Sequence, residues 1–237
     1  MRQAGAWLYE ILHGAKARCQ PGASGIDIDR FCYQEIKAKK CEPSFLGYQN
    51  FPNSLVFCLN HEVVHGIPTA DKVISDGDLV TLDLGLTHQG LVVDSAISFV
   101  VGQNPDAEKL IKATRSALET VIAIIRPGIR VGDIGHVVES IANNNNVKVI
   151  YECAGHGVGP SLHSPPNIPN YGQPNQGHEI KEGMALAIEP IFSLGTNYTN
   201  TLSDRWTVVT DDGSLCAQSE HSIFVTADGC EVLTKPL

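Results

Sequence analysis

The chain repeats a pattern of residues at a constant offset of 106 positions. Pro21-Gly22 is matched by Pro127-Gly128, and Asp27-Ile28 is matched by Asp133-Ile134. Proline and glycine end helices and form turns, and a helical pattern of apolar residues stands on both sides of each Pro-Gly pair. The four predicted helices cover residues 7–18, 27–39, 110–126 and 133–142. This repeat restricts the fold to two related helix-helix halves.

The same offset relates two strand-like segments. Residues 77–83, Gly-Asp-Leu-Val-Thr-Leu-Asp, fall on residues 183–189, Gly-Met-Ala-Leu-Ala-Ile-Glu, so Asp83 and Glu189 are equivalent. Two helix-helix-strand halves related by a pseudo-twofold axis would join these strands in a shared sheet, with the acidic residues on one concave face. We therefore predict an α/β (α+β) fold in one domain over 1–237, with halves of roughly 1–105 and 106–237.

A predicted hairpin over residues 79–99 carries two acidic side chains. Folding it symmetrically about His88-Gln89 places Asp83 opposite Asp94, with both side chains on one face. Directly opposed Cβ atoms lie about 5 Å apart, and at an effective dielectric of about 20 the two charges repel by about 3 kcal/mol. A shared proton or a divalent cation would relieve this repulsion. The alternative is an exposed hairpin whose carboxylates point apart into water.

Three further residues can complete a metal site. His156 stands between glycines that allow close backbone approach, Glu189 precedes a proline, and Glu220 begins a late strand that could return beside Asp94. Together with Asp83 they make five candidate ligands, which suits two divalent ions better than one. Each also has a plain structural interpretation, as a turn histidine or an exposed strand glutamate. His65 and His163 are additional candidates with the same alternative.

Two low-complexity segments are predicted to be irregular. The run of four asparagines at 143–146 should end the last helix in a loop tip, because asparagine tolerates the left-handed conformation. The proline-rich segment 164–174 should lack regular structure and border the site.

Composition excludes several classes of protein. A net charge of −9 and a pI near 5.4 argue against nucleic-acid binding. Seven scattered cysteines without Cys-x-x-Cys pairs are typical of free thiols in a reducing compartment. No apolar run approaches the roughly 18 residues of a membrane span, and the amino terminus has the pattern of an amphipathic helix rather than of a signal peptide. We expect a soluble, cytoplasmic protein.

Seven segments of the chain resemble, in order, the motifs of type I methionine aminopeptidase. They are Val63-Val-His-Gly-Ile-Pro68, Leu82-Asp-Leu-Gly85, Val93-Asp-Ser95, Ala154-Gly-His-Gly-Val-Gly159, Ala187-Ile-Glu-Pro190, Asp204-Arg-Trp-Thr-Val208 and Ala217-Gln-Ser-Glu-His221. The resemblance implies the pita-bread fold, whose sheet is curved and mainly antiparallel. It also implies a dinuclear metal centre and removal of the initiator methionine from new polypeptides.

By motif, the resemblance assigns roles to individual residues. The metal ligands would be Asp83, Asp94, His156, Glu189 and Glu220, with Asp94 and Glu220 as the bridging pair. The catalytic residues would be His65, His163 and Glu189. The substrate-binding residues would be Tyr48, Phe51, His65, Leu162, His163 and Trp206, with Phe45 and Val56 nearby.

The resemblance also implies which step of peptide-bond hydrolysis each group would carry out. Two cations would activate a water molecule for attack on the first peptide carbonyl, and Glu189 would pass a proton to the leaving amine. His163 would donate a hydrogen bond to the developing oxyanion, and His65 would contact the leaving nitrogen or the substrate backbone.

Three residues depart from the family pattern. Leu162 replaces a common phenylalanine, Phe45 replaces a cysteine that is common in bacterial members, and Ser219 replaces an aromatic residue. These changes bear on the width of a methionine pocket, and Phe51 and Leu162 are equally consistent with ordinary core residues.

Three alternatives remain. Xaa-Pro aminopeptidases and prolidases carry a large domain before the catalytic one, for which this chain is expected to have no room. Type II methionine aminopeptidases carry a helical insertion between the last two ligands, whereas here only 31 positions separate Glu189 from Glu220. The third alternative, a metal-free binding module of the same fold, would have lost ligands.

The family resemblance favours a compact bacterial-type enzyme without the zinc-binding extension of eukaryotic members. The cofactors would be two divalent ions (Co, Mn, Fe or Zn), and the substrate the N-terminal methionine of nascent peptides. We expect a monomer with transient ribosome contact and no membrane or nucleic-acid partner.

Overall fold

The computed structural model describes residues 1–237, in four helices and fifteen strands. The helices are α1 (Arg2–Lys16), α2 (Gly25–Ala38), α3 (Pro105–Ile124) and α4 (Val131–Asn144). The strands are β1 (Glu42–Pro43), β2 (Leu55–Leu59), β3 (Glu62–Val64), β4 (Leu79–His88), β5 (Leu91–Val100), β6 (Lys148–Val149), β7 (Ala154–Gly157), β8 (Ser164–Pro169), β9 (Ala185–Ile188), β10 (Ile191–Ser193), β11 (Thr199–Thr201), β12 (Val208–Thr210), β13 (Cys216–Gln218), β14 (His221–Val225) and β15 (Cys230–Val232). Every strand pair is antiparallel. The predicted mixed, mainly antiparallel fold class is therefore confirmed.

Side-chain caps fix where the helices begin. The Ser24 side chain accepts a hydrogen bond from the Asp27 amide at the start of α2, and Asn104 caps α3 ahead of a proline at its first position. All four predicted helices are present, although α1 and α3 begin five residues earlier than predicted. No helix combines the length and apolar character that crossing a membrane requires.

The same backbone hydrogen bond occurs at equivalent positions of the two sequence repeats. The Gly22 amide donates to the Ile74 carbonyl at 2.8 Å, and the Gly128 amide donates to the Ile180 carbonyl at 2.9 Å. Both glycines have a positive φ, of 91° and 94°, which explains why each Pro-Gly turn needs glycine. The turn between the two helices of each half is therefore bonded to the segment that leads into β4 or β9 by the same local contact.

Each helix pair covers its own hydrophobic cluster. α1 and α2 bury Leu8, Ile28 and neighbouring residues against β2 and β4, and α3 and α4 bury Leu110, Val138 and their neighbours against β9 and β14. The treatment of residues 1–237 as one catalytic domain, divided near residue 105, stays a prediction.

Strands β5 and β14 join the two halves. The Glu220 amide donates to the Ala96 carbonyl at 3.0 Å. The Ser222 hydroxyl donates to the Asp94 carbonyl and accepts from the Asp94 amide, both at 2.8 Å. Asp94 and Glu220 therefore meet where the halves meet, and Glu220 returns beside Asp94 as predicted.

The predicted register of the β4–β5 hairpin is wrong by two residues. The turn is Gln89-Gly90, with φ angles of 51° and 76°, as a tight two-residue hairpin turn requires. Asp83 is opposite Ala96, and Asp94 is opposite Gly85. Because side chains alternate with a period of two, this shift leaves both carboxylates on one face and makes them diagonal neighbours.

The prediction of irregular structure for 164–174 is also wrong in part. Residues 164–169 form β8, which lies at the edge of a five-stranded sheet. An edge strand tolerates proline because one side of its backbone needs no partner. The asparagine run behaves closer to prediction, since α4 ends within it and Asn146 has a φ of 56°.

Candidate metal centre

Strands from both halves bring the five predicted ligands into one cavity. Asp83 and Asp94 lie on the β4–β5 hairpin, and His156 lies on β7. Glu189 directly follows β9, and Glu220 directly precedes β14. All five line a cavity of about 690 Å³.

Three of the five form a tight cluster. One ligand atom each of Asp94, His156 and Glu220 lie within 4.8 Å of one another, and all three residues are buried. The fourth, Glu189, places Oε1 3.6 Å from His156 Nε2. The His156 Nδ1 atom is 3.0 Å from the Gly157 carbonyl and therefore carries the proton, which leaves the Nε2 lone pair facing the carboxylates.

No cationic side chain balances the carboxyl groups of the cluster. Burial, followed by the neighbouring carboxylates, raises the pKa of Asp83 and Glu220 well above the usual range, and burial raises the pKa of Asp94 to about 7. No lysine or arginine lines the cavity. Asp83 Oδ1 and Asp94 Oδ1 are buried without a hydrogen-bond partner. Buried carboxylate oxygens without partners, beside an imidazole nitrogen, fit hard divalent cations.

Chelated protein should lose stability as the pH rises above about 6.5. Each buried carboxyl group with a raised native pKa loses its stabilising contribution between the pKa of the unfolded chain, about 4, and its own native pKa. The native pKa is about 7 for Asp94 and is raised well above the usual range for Asp83 and Glu220, so these two continue the loss beyond pH 7. Burial lowers the pKa of His156 to about 4, so its opposite effect acts below about pH 6.5. Urea unfolding in EDTA measures the slope. A flat profile over this range, or one that Mn²⁺ does not change, would contradict the electrostatic description.

Two further histidines lie beside the cluster. His163 packs edge-on against His156, with ring centroids 4.3 Å apart, and His65 packs edge-on against Trp206 at 6.0 Å. Desolvation in the cavity lowers the pKa of both His65 and His163, so each is neutral near pH 7. The His163 Nδ1 atom lies 2.8 Å from the Tyr48 hydroxyl.

One end of the cavity is apolar. Phe45, Phe51, Val56 and Leu162 are buried in a small cluster of their own, against which Tyr48 and Trp206 pack. The Phe51 and Trp206 rings meet edge-on at 5.1 Å. All the predicted pocket residues therefore line the same cavity as the ligands. Ser219 does not line it.

Several cavity residues were not predicted. Gln218 donates from Nε2 to Glu189 Oε2 at 3.4 Å; it lay within a recognised motif but had no assigned role. Tyr151, Asn167 and Tyr171 line the other end of the cavity. Asn167 and Tyr171 lie in the proline-rich segment that was expected to border the site, although no pattern singled out either residue, and Tyr151 lies outside every motif.

An oxygen-rich cluster with one histidine, at the junction of two pseudo-symmetric halves and beside a substrate-sized cavity, defines the chain as a metal-dependent hydrolase. A family model described as "Metallopeptidase family M24" matches residues 1–227. The methionine aminopeptidase of Mycoplasma capricolum is 41% identical over 99% of this chain and 94% of its own length. Methionine aminopeptidase 1 of Bacillus subtilis is 40% identical over 99% and 95%. The chain therefore belongs to metallopeptidase family M24 and, within it, to the methionine aminopeptidases.

Solved structures agree on the fold. The crystal structure of methionine aminopeptidase from Thermotoga maritima matches with a TM-score of 0.97 and 39% identity, over 99% of this chain and 95% of that one. The prolidase from Pyrococcus horikoshii matches with a TM-score of 0.80 and 21% identity, over all of this chain and 61% of that one. The likeness to the prolidase shows the shared pita-bread fold alone.

Proposed function

We propose that this chain removes the amino-terminal methionine from new polypeptides, using two divalent metal ions. The observation that carries this proposal is an apolar cavity end, built from Phe51, Leu162 and Trp206, directly beside the buried carboxylates. Identity of about 40% to methionine aminopeptidases over nearly the whole chain supports it.

Asp83, Asp94, His156, Glu189 and Glu220 are the proposed ligands. Asp94 and Glu220 are assigned as the shared pair by motif, and one ligand atom of each lies in the tight cluster with His156. When bound, divalent ions supply Lewis-acid chemistry, activating a water molecule and polarising the scissile carbonyl. Glu189 is suited to carrying a proton to the leaving amine, because burial raises its pKa well above the ordinary range.

His163 is proposed to stabilise the oxyanion. The Tyr48 hydroxyl lies 2.8 Å from Nδ1, and when it donates there, the ring proton resides on Nε2. Nε2–H is then available to the developing negative charge on the substrate oxygen. His65 faces the same cavity beside Trp206, where it can contact the substrate backbone.

Replacing Tyr48 with phenylalanine tests the tautomer of His163. The variant keeps the aromatic wall and loses only the hydroxyl, so kcat should fall by about 10-fold, the equivalent of one hydrogen bond, with little change in KM. Steady-state kinetics on a methionyl tripeptide measures both constants. Because the hydroxyl acts through His163, adding Tyr48→Phe to the His163→Ala variant should not lower kcat any further. Additive losses, or a change confined to KM, would assign Tyr48 to the pocket wall alone.

The apolar end of the cavity suits a methionine side chain. A thioether offers dispersion and sulfur–aromatic contacts but hardly any hydrogen bonding, and the Phe51 and Trp206 rings supply such a surface. The residues of the apolar cluster at this end carry no charge, so a charged first residue would be buried there without a partner.

Substrate specificity tests the proposal directly. Chelated protein is titrated with Mn²⁺, Co²⁺ or Fe²⁺ and given Met-Ala-Ser, Leu-Ala-Ser and Ala-Pro-Ser. Metal-dependent release of methionine alone is expected. Release from Ala-Pro-Ser would instead support a prolidase-like enzyme, which the shared fold makes the second candidate. Metal binding without turnover of any peptide would indicate a binding module.

The setting of the reaction is part of the same proposal. The enzyme is proposed to act as a monomer in the cytoplasm, on nascent chains, with only transient contact with the ribosome. Size-exclusion chromatography with light scattering measures the first property, and co-sedimentation with ribosomes measures the last.

A further inference from the structure

Two exposed tyrosines form an aromatic rim at the end of the cavity away from the apolar pocket. Tyr151 and Tyr171 pack edge-on with ring centroids 4.8 Å apart, and both line the cavity. They are 44% and 42% exposed, so their rings are accessible to a bound polypeptide. None of the roles proposed above uses these two rings.

The cavity is too large for one residue. Its volume of about 690 Å³ lies in the range that encloses a drug-sized ligand. The apolar end takes the methionine side chain and is closed by Phe45, Phe51 and Leu162, all of which are buried. The substrate chain beyond the scissile bond must therefore leave through the remaining part of the cavity.

Strands β7 and β8 give the direction of that path. Gly157, beside the ligand His156, pairs with Ser164, and Ala154 pairs with Pro169 further from the cluster. Tyr151 and Tyr171 continue the same pair of segments beyond this point. Tyr151 lies five positions before the ligand His156 in the sequence, so an extended polypeptide that follows the strands from the cluster reaches the tyrosines after about four or five residues. The aromatic rim therefore faces residues four and five of the substrate.

The surroundings of the aromatic rim are acidic. The Tyr151 hydroxyl contacts a Glu139 carboxylate oxygen at 3.4 Å, and Glu152 lines the cavity beside it. Neither lysine nor arginine lines the cavity. Tyrosine faces bind aliphatic stems and attract cations, and the carboxylates add to this attraction. An acidic side chain at the same place would be repelled.

We propose that Tyr151 and Tyr171 form a subsite for the fourth and fifth residues of the polypeptide substrate, favouring lysine or arginine there over aspartate or glutamate. This inference rests on the proposed aminopeptidase function. The subsite contributes binding energy only, so it should raise kcat/KM for longer peptides without changing the rate of the chemical step.

The test compares substrates and variants. Mn²⁺-loaded wild type, Tyr151→Ala/Tyr171→Ala and the control Tyr33→Ala are assayed with Met-Ala-Ser, Met-Ala-Ser-Lys-Gly and Met-Ala-Ser-Glu-Gly. Tyr33 is matched to the pair because it is 42% exposed on α2, away from this cavity. Wild type and the control should prefer the lysine peptide over the glutamate peptide by about 3- to 10-fold. The double variant should reduce this preference to less than about 2-fold and leave Met-Ala-Ser unchanged.

The outcomes separate this inference from the proposed function. Failure of wild type to cleave Met-Ala-Ser would overturn the function. Normal cleavage of Met-Ala-Ser with no preference between the longer peptides, or a preference that survives in the double variant, would overturn the subsite alone. Calorimetry of Met-Ala-Ser-Lys-Gly binding to Asp94→Asn protein, with and without the tyrosine substitutions, gives a readout that needs no turnover. Equal affinities there would also overturn the subsite.

Discussion

Replacing Asp94 with asparagine should reduce kcat/KM for Met-Ala-Ser by at least about 10³-fold. Asp94 belongs to the tight cluster with His156 and Glu220 and is proposed to be shared between two metal ions. Metal ions contribute several kcal/mol to stabilising charge in such transition states, and each 1.4 kcal/mol is about tenfold in rate. Calorimetry should show that Mn²⁺ binding weakens together with the rate.

The same substitution should stabilise the chelated protein. Asparagine is nearly isosteric with aspartate and removes one buried negative charge from beside Asp83 and Glu220, so the free energy of unfolding in EDTA should rise above about pH 7. Asp106→Asn is a matched control, because Asp106 is exposed on α3 and pairs only with Lys109 at 3.5 Å. Normal turnover by Asp94→Asn, or lower stability than wild type in EDTA, would contradict the proposed role.

Replacing His163 with alanine should lower kcat by about 10²- to 10³-fold and change KM little. This is the cost of removing one preorganised donor to an oxyanion. Metal affinity should be nearly unchanged, since His163 packs against a ligand but is not proposed to be one. His163→Gln should recover part of the rate, because an amide N–H can also donate.

A surface histidine provides the control for this experiment. His178→Ala, at an exposed position away from the cavity, should behave like wild type. A loss of Mn²⁺ binding in His163→Ala equal to that in Asp94→Asn would make His163 a ligand instead. An effect on KM alone would limit it to substrate binding.

The helices and the internal repeat were predictable because they depend on local sequence. Pro-Gly turns with positive φ at Gly22 and Gly128 can be inferred from residue type, since few other residues adopt that conformation. The early start of α3 also has a local cause, the Asn104 cap followed by proline. This cap lies outside the repeated pattern on which the prediction depended.

Predicting the hairpin register required a choice between two neighbouring turn positions. His88-Gln89 and Gln89-Gly90 both leave plausible strands on either side. Positive φ is needed at both turn positions, and glycine at the second position decides in favour of Gln89-Gly90. This error did not change the predicted grouping of the carboxylates, because a shift of two residues keeps Asp83 and Asp94 on the same face.

The candidate ligands were predictable because their residue types and strand positions suit a metal site, and the motifs then assigned their roles. The structure brings all five to one cavity. Tyr151 and Tyr171 were missed because exposed tyrosines have no characteristic spacing, and only the pairing of β7 with β8 brings their segments together. The hydrogen bond between Tyr48 and His163 joins residues 115 positions apart, which no local pattern reveals.

The division of the ligands between the halves has a kinetic consequence. Two of the proposed ligands, Asp83 and Asp94, come from the first half, and the other three come from the second. All five can therefore bind metal only after the two halves have packed together. Such long-range contacts form late in folding. Added metal should therefore lengthen the lifetime of the native state by slowing unfolding, while leaving the refolding limb of a chevron almost unmoved. Metal binding would then follow the packing of the two halves and would not initiate it.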